Sequence, residues 1–405
     1  MLIVQKFGGS SVANADKIQK AAQRIVDTYK NGHKVIVVLS AQGDTTDDLI
    51  AKAKEINPEP SKRELDMLMA TGEQQSCALM AMAIHRLGFP AISLNAVQVG
   101  ISAFPQYGNA RISRMKCDRI YSELERNSIV IVTGFQGINQ YGDISTLGRG
   151  GSDTTAVAIA AEMQADLCEI YTDVDGVYTA DPRMVKNAKK LKEISYDEML
   201  ELASLGAVVL HNRSVELAKK YNVRLVVRSS ITDAEGTVVK EESQMESTYI
   251  SGIALDRETA QITLIGMKDD PGMAFKIFSF MAKNKISVDI IIQSIGRQSV
   301  KDISFTVSTE NLADTINLLE KNKDFIGYSH IMHDANQAKL SVVGAGMATN
   351  PGVAAAMFEA LSDANISINM ISTSEIKISV LIDERDAEQA VRYVHNRFFE
   401  QGVEF

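Results

Sequence analysis

Leu2-Ile3-Val4-Gln5-Lys6-Phe7-Gly8-Gly9-Ser10-Ser11 opens the chain, and Asp16 to Lys30 follows with Ile18, Ala21, Ala22, Ile25, Val26 and Tyr29 at helical spacing. A short apolar run closed by two glycines, then a 3.6-residue period, predicts a buried strand, a tight turn and an amphipathic helix. The alternation continues to about residue 240. Strands are expected at Val35–Leu39, Ala91–Leu94, Ile129–Val132 and Cys168–Thr172, with helices at Asp47–Lys54, Glu64–Leu87 and near Thr154–Ala165. Strands alternating with helices imply a mostly parallel sheet covered on both faces, with ligands at the carboxyl ends of its strands.

Past a polar link around Lys240 to Glu246 the chain repeats itself. Pro271-Gly272, Ala274, Phe278, Ile286-Ser287, Ile291 and Ser294 reappear as Pro351-Gly352, Ala354, Phe358, Ile366-Ser367, Ile371 and Ser374, every pair offset by 80 positions. Two copies at that period imply a duplicated small α+β module. The expected domains are therefore 1–240, 248–335 and 336–405. The 405 residues include three cysteines, Cys77, Cys117 and Cys168, without metal spacing, which reads as reduced thiols of a cytosolic, cytoplasmic protein. No apolar run reaches the ~18 residues of a membrane span, and the net charge of −9 argues against nucleic acid. The six histidines form no metal constellation, so no metal-ligating residues are assigned.

Five places suit chemistry. Lys6-Phe7-Gly8-Gly9-Ser10 puts a lysine at a strand end and glycines in the turn, which lets backbone N–H groups approach a phosphate; a plain βα turn with an exposed lysine has the same pattern. Gly148-Arg149-Gly150-Gly151-Ser152-Asp153 brings glycines, an arginine and a helix start together, suited to a carboxylate or phosphate. Capping by Ser152 or Asp153 accounts for one of these residues but not for the glycines with the arginine. Thr172 to Arg183 leaves a buried strand for a turn-rich loop where a nucleotide would lie. Thr71-Gly72-Glu73 reads as a helix opening, with Glu73 either a first-turn acid or a carboxylate holding an ammonium, and Ser40 to Asp47 offers hydroxyls after the second strand, or a helix capped at Thr46 or Asp47.

In this order, these motifs with Val38-Leu39-Ser40-Ala41 and Val132-Thr133-Gly134-Phe135 resemble the aspartate kinase family over essentially the whole chain. The resemblance implies an amino-acid kinase fold followed by two ferredoxin-like ACT modules. It implies transfer of phosphoryl from ATP, with Mg2+, to the β-carboxylate of L-aspartate. By the same resemblance Lys6 stabilises the moving phosphoryl group and Asp153 orients Lys6 or the substrate. Ser40, Thr46, Glu73, Arg149, Gly150, Gly151 and Ser152 bind aspartate. Lys6, Phe7, Gly8, Gly9, Ser10, Thr172, Asp173, Tyr178 and Arg183 hold ATP. Lysine and threonine are the family's usual effectors; the matching positions are Asp270, Gly272, Asp289 and Gln293 in the first module, and Asn350, Asn369 and Ser374 in the second. Acids at 270 and 289 facing asparagines at 350 and 369 make the copies unequal and suit lysine in the first. ACT modules imply a homo-oligomer joined edge to edge. One departure is Val208, where the family usually has a lysine near the phosphates: either ATP binding is weakened or Arg183 and Lys6 suffice, and an inactive amino-acid sensor is the alternative reading. Met245 stands where some relatives start a separate regulatory subunit.

Overall fold

The computed structural model describes every residue except 206–208, 242–249, 295, 297–299, 346, 348–349, 351 and 402–405. Val208 and Met245 thus lie outside the described residues. The chain divides into two compact units. The first runs from Met1 to Tyr178 and resumes at Lys190; the second holds Thr179–Lys189 and the chain from Ile250 onward.

The first unit carries strands β1 (Leu2–Phe7), β2 (Lys34–Leu39), β3 (Ala91–Leu94), β4 (Ser102–Ala103), β5 (Ile112–Arg114), β6 (Ile129–Thr133), β7 (Gln136–Ile138), β8 (Ile144–Thr146), β9 (Leu167–Thr172), β10 (Glu193–Ser195), β11 (Leu225–Ser229) and β12 (Thr237–Lys240). Its helices are α1 (Ala15–Lys30), α2 (Thr45–Ile56), α3 (Lys62–Arg86), α4 (Ala96–Val99), α5 (Asp118–Glu125), α6 (Gly151–Glu162), α7 (Tyr196–Ser204) and α8 (Asn212–Tyr221). The main sheet has the order β10-β12-β11-β9-β1-β2-β6-β3, parallel throughout apart from the β11–β12 pair. A parallel sheet buries both faces, which is why β2 and β6 are continuous apolar runs. Phe7, Val35, Val37, Leu39, Ile129 and Ile131 pack under α1 and α3 with Ile18, Ile25, Met80 and Ile84. Burying each such Val, Ile or Leu is worth about 1.5–3 kcal/mol. The period of two turns Lys6 to the opposite face, toward α6. Asn14 starts α1 by accepting a hydrogen bond from the Lys17 N–H. A second sheet, β5-β4-β7-β8, is built from strands of two or three residues.

Two expectations shift. Helix α6 begins at Gly151, three residues earlier than the pattern suggested, because Gly150 takes a left-handed conformation (φ +67°) as its cap. Glu73 is not a first-turn acid: α3 is capped by the Ser61 side chain and runs unbroken from Lys62, leaving Glu73 in its interior.

In the second unit, β13 (Gly252–Lys268), β14 (Ile291–Gln293), β15 (Val300–Ser308), β16 (His330–Val343), β17 (Met370–Thr373) and β18 (Lys377–Asp383) form one antiparallel sheet, order β14-β15-β13-β16-β18-β17. Helices α9 (Met273–Lys283), α10 (Leu312–Lys321) and α11 (Lys323–Ile326) serve the first copy, α12 (Gly352–Asp363) and α13 (Ala387–Phe399) the second. The repeat is thus two βαββα modules whose first strands, β13 and β16, pair at the sheet centre. Each has its own core: Ile262, Leu264, Ile277, Phe305 and Leu319 in one, Leu340, Val342, Met357, Val380 and Val394 in the other. Ala180 and Val185 belong to the second of these cores. Among the described residues no helix is long and apolar enough to cross a membrane, and all three cysteines are buried and unpaired.

Candidate active site

The carboxyl ends of β1, β2, β6 and β9 bring the predicted loops together. Sheet-like hydrogen bonds continue past the strand ends: Ser40 N–H donates to Phe7 O, Gly134 N–H to Leu39 O and Gly8 N–H to Tyr171 O. The loops are then packed so closely that only glycine fits. A Cβ on Gly9 would lie 2.6 Å from Ala41 O, and one on Gly134 would lie 2.5 Å from Ser152 Oγ. Phe7 stacks on Tyr171 at 4.6 Å, which seats the turn after β1 against β9. Ser40 and Thr46 are half-buried. Helix α2 starts at Thr45 with no side-chain cap from Asp44, so neither Thr46 nor Asp47 caps it.

Lys6 and Asp153 form the centre. Lys6 Nζ lies 2.6 Å from Asp153 Oδ1, with side chains 11% and 12% exposed. Charges this buried are tolerated because they are paired, and Asp153 also lies in the first turn of α6, where the helix dipole favours an acid. Glu73 is 3% exposed. Its Oε1 accepts from the Ala41 N–H at 3.1 Å, while Oε2 is buried without a partner. Burial pushes its pKa up to about 7, only partly offset by that backbone donor. The hydroxyls of Ser11 and Thr133 are likewise buried without partners. Buried polar atoms of this kind are uncommon.

Arg149 projects from a turn in which Gly148 (φ +76°) and Gly150 (φ +67°) are both left-handed. A Cβ on Gly150 would come within 2.1 Å of the His211 ring. Arg149 is exposed, and its guanidinium has no hydrogen bond or ion pair among the described residues. The His211 ring, which also caps α8, is held below its ordinary pKa by burial. Sequence reading missed His211, Asp66 and Arg213. The last two bond backbone, hydroxyl and amide groups of the loops feeding this turn, far away in sequence, and such contacts leave no local pattern.

On the nucleotide side, Thr172 Oγ1 donates to Asp173 Oδ1 (3.0 Å), and Tyr178 OH donates to Asp175 Oδ1 (2.8 Å). Lys190, another residue not foreseen, pairs with Asp175 (3.3 Å) and donates to Glu235 O. Arg183 falls within Thr179–Lys189 of the second unit, is 88% exposed and pairs with Asp181.

In the second unit, Asp270 and Gly272 lie at the turn before α9, and Gln293 is exposed on β14. Asp289 is exposed at the start of the segment leading into β14. It pairs with the buried Lys339, which also reaches Asp256 at 3.3 Å. Asn369 Nδ2 donates to Gln337 Oε1 at 2.9 Å, Asn350 O receives the Val353 N–H at the start of α12, and Ser374 Oγ accepts from the Ile376 N–H.

Residues 1–229 match the family described as "Amino acid kinase family", and residues 262–322 and 340–398 match that described as "ACT domain". The aspartokinase of Geobacillus stearothermophilus is 50% identical over 398 residues, covering 98% of this chain and 97% of that protein. E. coli aspartokinase III solved with aspartate and ADP has a TM-score of 0.85 at 26% identity, covering 99% of this chain and all of that one. The same E. coli enzyme with lysine and aspartate gives 0.76 at 26% identity, covering 98% of this chain.

Proposed function

This chain belongs to the aspartokinases of the amino acid kinase family, with ACT domains after the kinase half, and from that premise we propose that it converts ATP and L-aspartate to ADP and 4-phospho-L-aspartate. The observation that carries the substrate is the pairing of an uncommitted arginine with a buried acid. Arg149 suits the α-carboxylate, bidentately, and the orphaned Glu73 Oε2 suits the ammonium. The β-carboxylate, with a solution pKa of about 4, is already a nucleophile at neutral pH, so no general base is required. What remains is to bring two anions together and to stabilise the transferring group, which is a matter of position and positive charge. Lys6 supplies that charge at the carboxyl end of β1, and Asp153 fixes its ammonium. Thr172, Asp173 and Tyr178 line the nucleotide side. Magnesium would shield the phosphates, held largely by phosphate oxygens and water.

A hydroxamate assay for acyl phosphate tests this directly: aspartate should give product and glutamate or N-acetylglutamate essentially none. Glu73 adds a pH signature. Only its ionised form receives the substrate ammonium, so log kcat/KM for aspartate should climb with pH and level off above about 7. Glu73→Gln should remove that step. The sign for stability is opposite: between 4.5 and about 7 the folded state holds a proton that the unfolded state has lost, so this group's contribution weakens as pH rises.

The reaction opens lysine, threonine, methionine and diaminopimelate synthesis, and the ACT modules make it feedback-controlled. With Asp289 paired to Lys339, Asp270 is the one of the two expected effector acids in the first module that has no ion pair among the described residues. Lysine is our choice of effector, binding the less active arrangement better. Isothermal titration should show heat with lysine; heat with threonine alone would reject the choice. Assembly as a homo-oligomer is supported by the two edge strands, β14 and β17, which present Ile291, Ile292 and Ile371 to solvent.

A further inference from the structure

Two side chains of opposite charge grip the backbone that leads into the Arg149 turn. Asp66, fully buried on α3, accepts from the Gly108 N–H (2.9 Å), the Thr146 N–H (2.9 Å) and the Thr146 hydroxyl (2.7 Å). Arg213, in the first turn of α8, donates through Nη1 to Leu147 O (2.5 Å) and Asn109 Oδ1 (3.1 Å), and through Nη2 to Ala110 O (2.9 Å). The acid takes the N–H side and the guanidinium takes the carbonyl side of the same two stretches, residues 108–110 and 146–147. Those stretches are joined directly as well, by Ala110 N–H to Thr146 O. Gly148 follows at once, its Cα so near Asn109 that a Cβ would lie 2.8 Å from Oδ1.

The contacts are unusual in their cost. Burial lowers the Arg213 pKa, and the nearby Arg111 charge lowers it further. Among the described residues no carboxylate pairs with this guanidinium, and carbonyl and amide oxygens receive it. A merely structural cation would gain more from an acid partner. Only the planar fork of arginine spans three acceptors on two chain segments at once, and lysine cannot reproduce it.

We infer that Asp66 and Arg213 are positioning residues that set where Arg149 points, and so govern selection of the carboxylate on the substrate's α-carbon. This rests on the reading of aspartate as substrate. The discriminating probe is L-isoasparagine, the α-amide of aspartate, which keeps the ammonium and β-carboxylate but offers Arg149 no charge. In the wild type, kcat/KM should favour aspartate over the amide strongly. Arg213→Lys should raise the KM for aspartate about tenfold, the scale of a charged hydrogen bond, with the ATP KM within about twofold. The aspartate-to-amide preference should shrink in parallel. Arg149→Ala should abolish the preference, and adding Arg213→Lys to it should cost little more, since both act through one interaction. Asn109→Ala, which removes a single acceptor, gives a milder version should Arg213→Lys fold poorly. An unchanged preference in active Arg213→Lys or Asn109→Ala protein, or full additivity with Arg149→Ala, would overturn the inference. A wild type that makes no acyl phosphate from aspartate would instead overturn the functional reading on which it stands.

Discussion

Lys6→Met protein is expected to lose about a thousandfold or more in kcat, the scale seen when one cation or donor at a charged transition state is removed. Methionine keeps the length and packing of the side chain and removes only the ammonium. The KM for aspartate should change far less than kcat, because the charge is needed most as the phosphoryl group moves between two anions. The substitution has a second consequence. It leaves the Asp153 carboxylate buried beside an apolar group, and breaking a pair this enclosed costs about 3–5 kcal/mol. A lowered unfolding temperature should therefore accompany the lost activity. Adding Asp153→Asn removes the stranded charge, so the Lys6→Met/Asp153→Asn protein should recover stability without recovering turnover. Activity assays and thermal unfolding on wild type and these two variants check both halves. Equal loss of stability in single and double variants would count against a paired charge at this site.

Gly150→Ala should be nearly as damaging, for a different reason. Alanine at φ +67° costs about 1–2 kcal/mol by itself. The larger effect is steric: the new Cβ would come within 2.1 Å of the His211 ring and 2.3 Å of His211 Cβ. One of the two loops has to move, and the one that moves carries Arg149. A loss of at least about a hundredfold in kcat/KM for aspartate follows if the displacement reaches an ångström. Because both ring and Cβ of His211 obstruct, His211→Gly is the partner that relieves the clash. The Gly150→Ala/His211→Gly protein should be more active than Gly150→Ala alone.

The architecture was legible where one side-chain period ran long enough to be read. Strands β1, β2, β3, β6 and β9 are apolar runs ended by turn residues, and α1 shows its buried stripe plainly. Strands β4, β5, β7 and β8 span two or three residues each, too few for any alternation, and none was foreseen. At the site, residues that touch ligand chemistry lie in motifs and could be found. Asp66 and Arg213 hold backbone atoms 42 to 103 positions away, and no local spacing encodes that. Glu73 was misjudged because Thr71-Gly72 resembles a helix opening, whereas the glycine is needed inside α3 for close approach: a Cβ there would lie 2.8 Å from that of Ala41. Arg183 closes the Thr172 to Arg183 motif, and the chain changes unit within that motif, at Thr179, which no local pattern announces.

That change of unit bears on how the protein could be divided or inherited in pieces. Residues 179–189 are encoded inside the kinase half, yet Ala180 and Val185 are buried among Val353, Met357 and Val394, and Thr179 shares a hydrogen bond with His395. A gene cut at the polar link would yield two fragments that are each incomplete. The tail fragment would expose the apolar floor those two residues cover, and the kinase fragment would carry a short apolar segment with nothing to bury it. The two halves are thus modular in family resemblance but interlaced in their folding, and any swap of regulatory tails between relatives must carry residues 179–189 along.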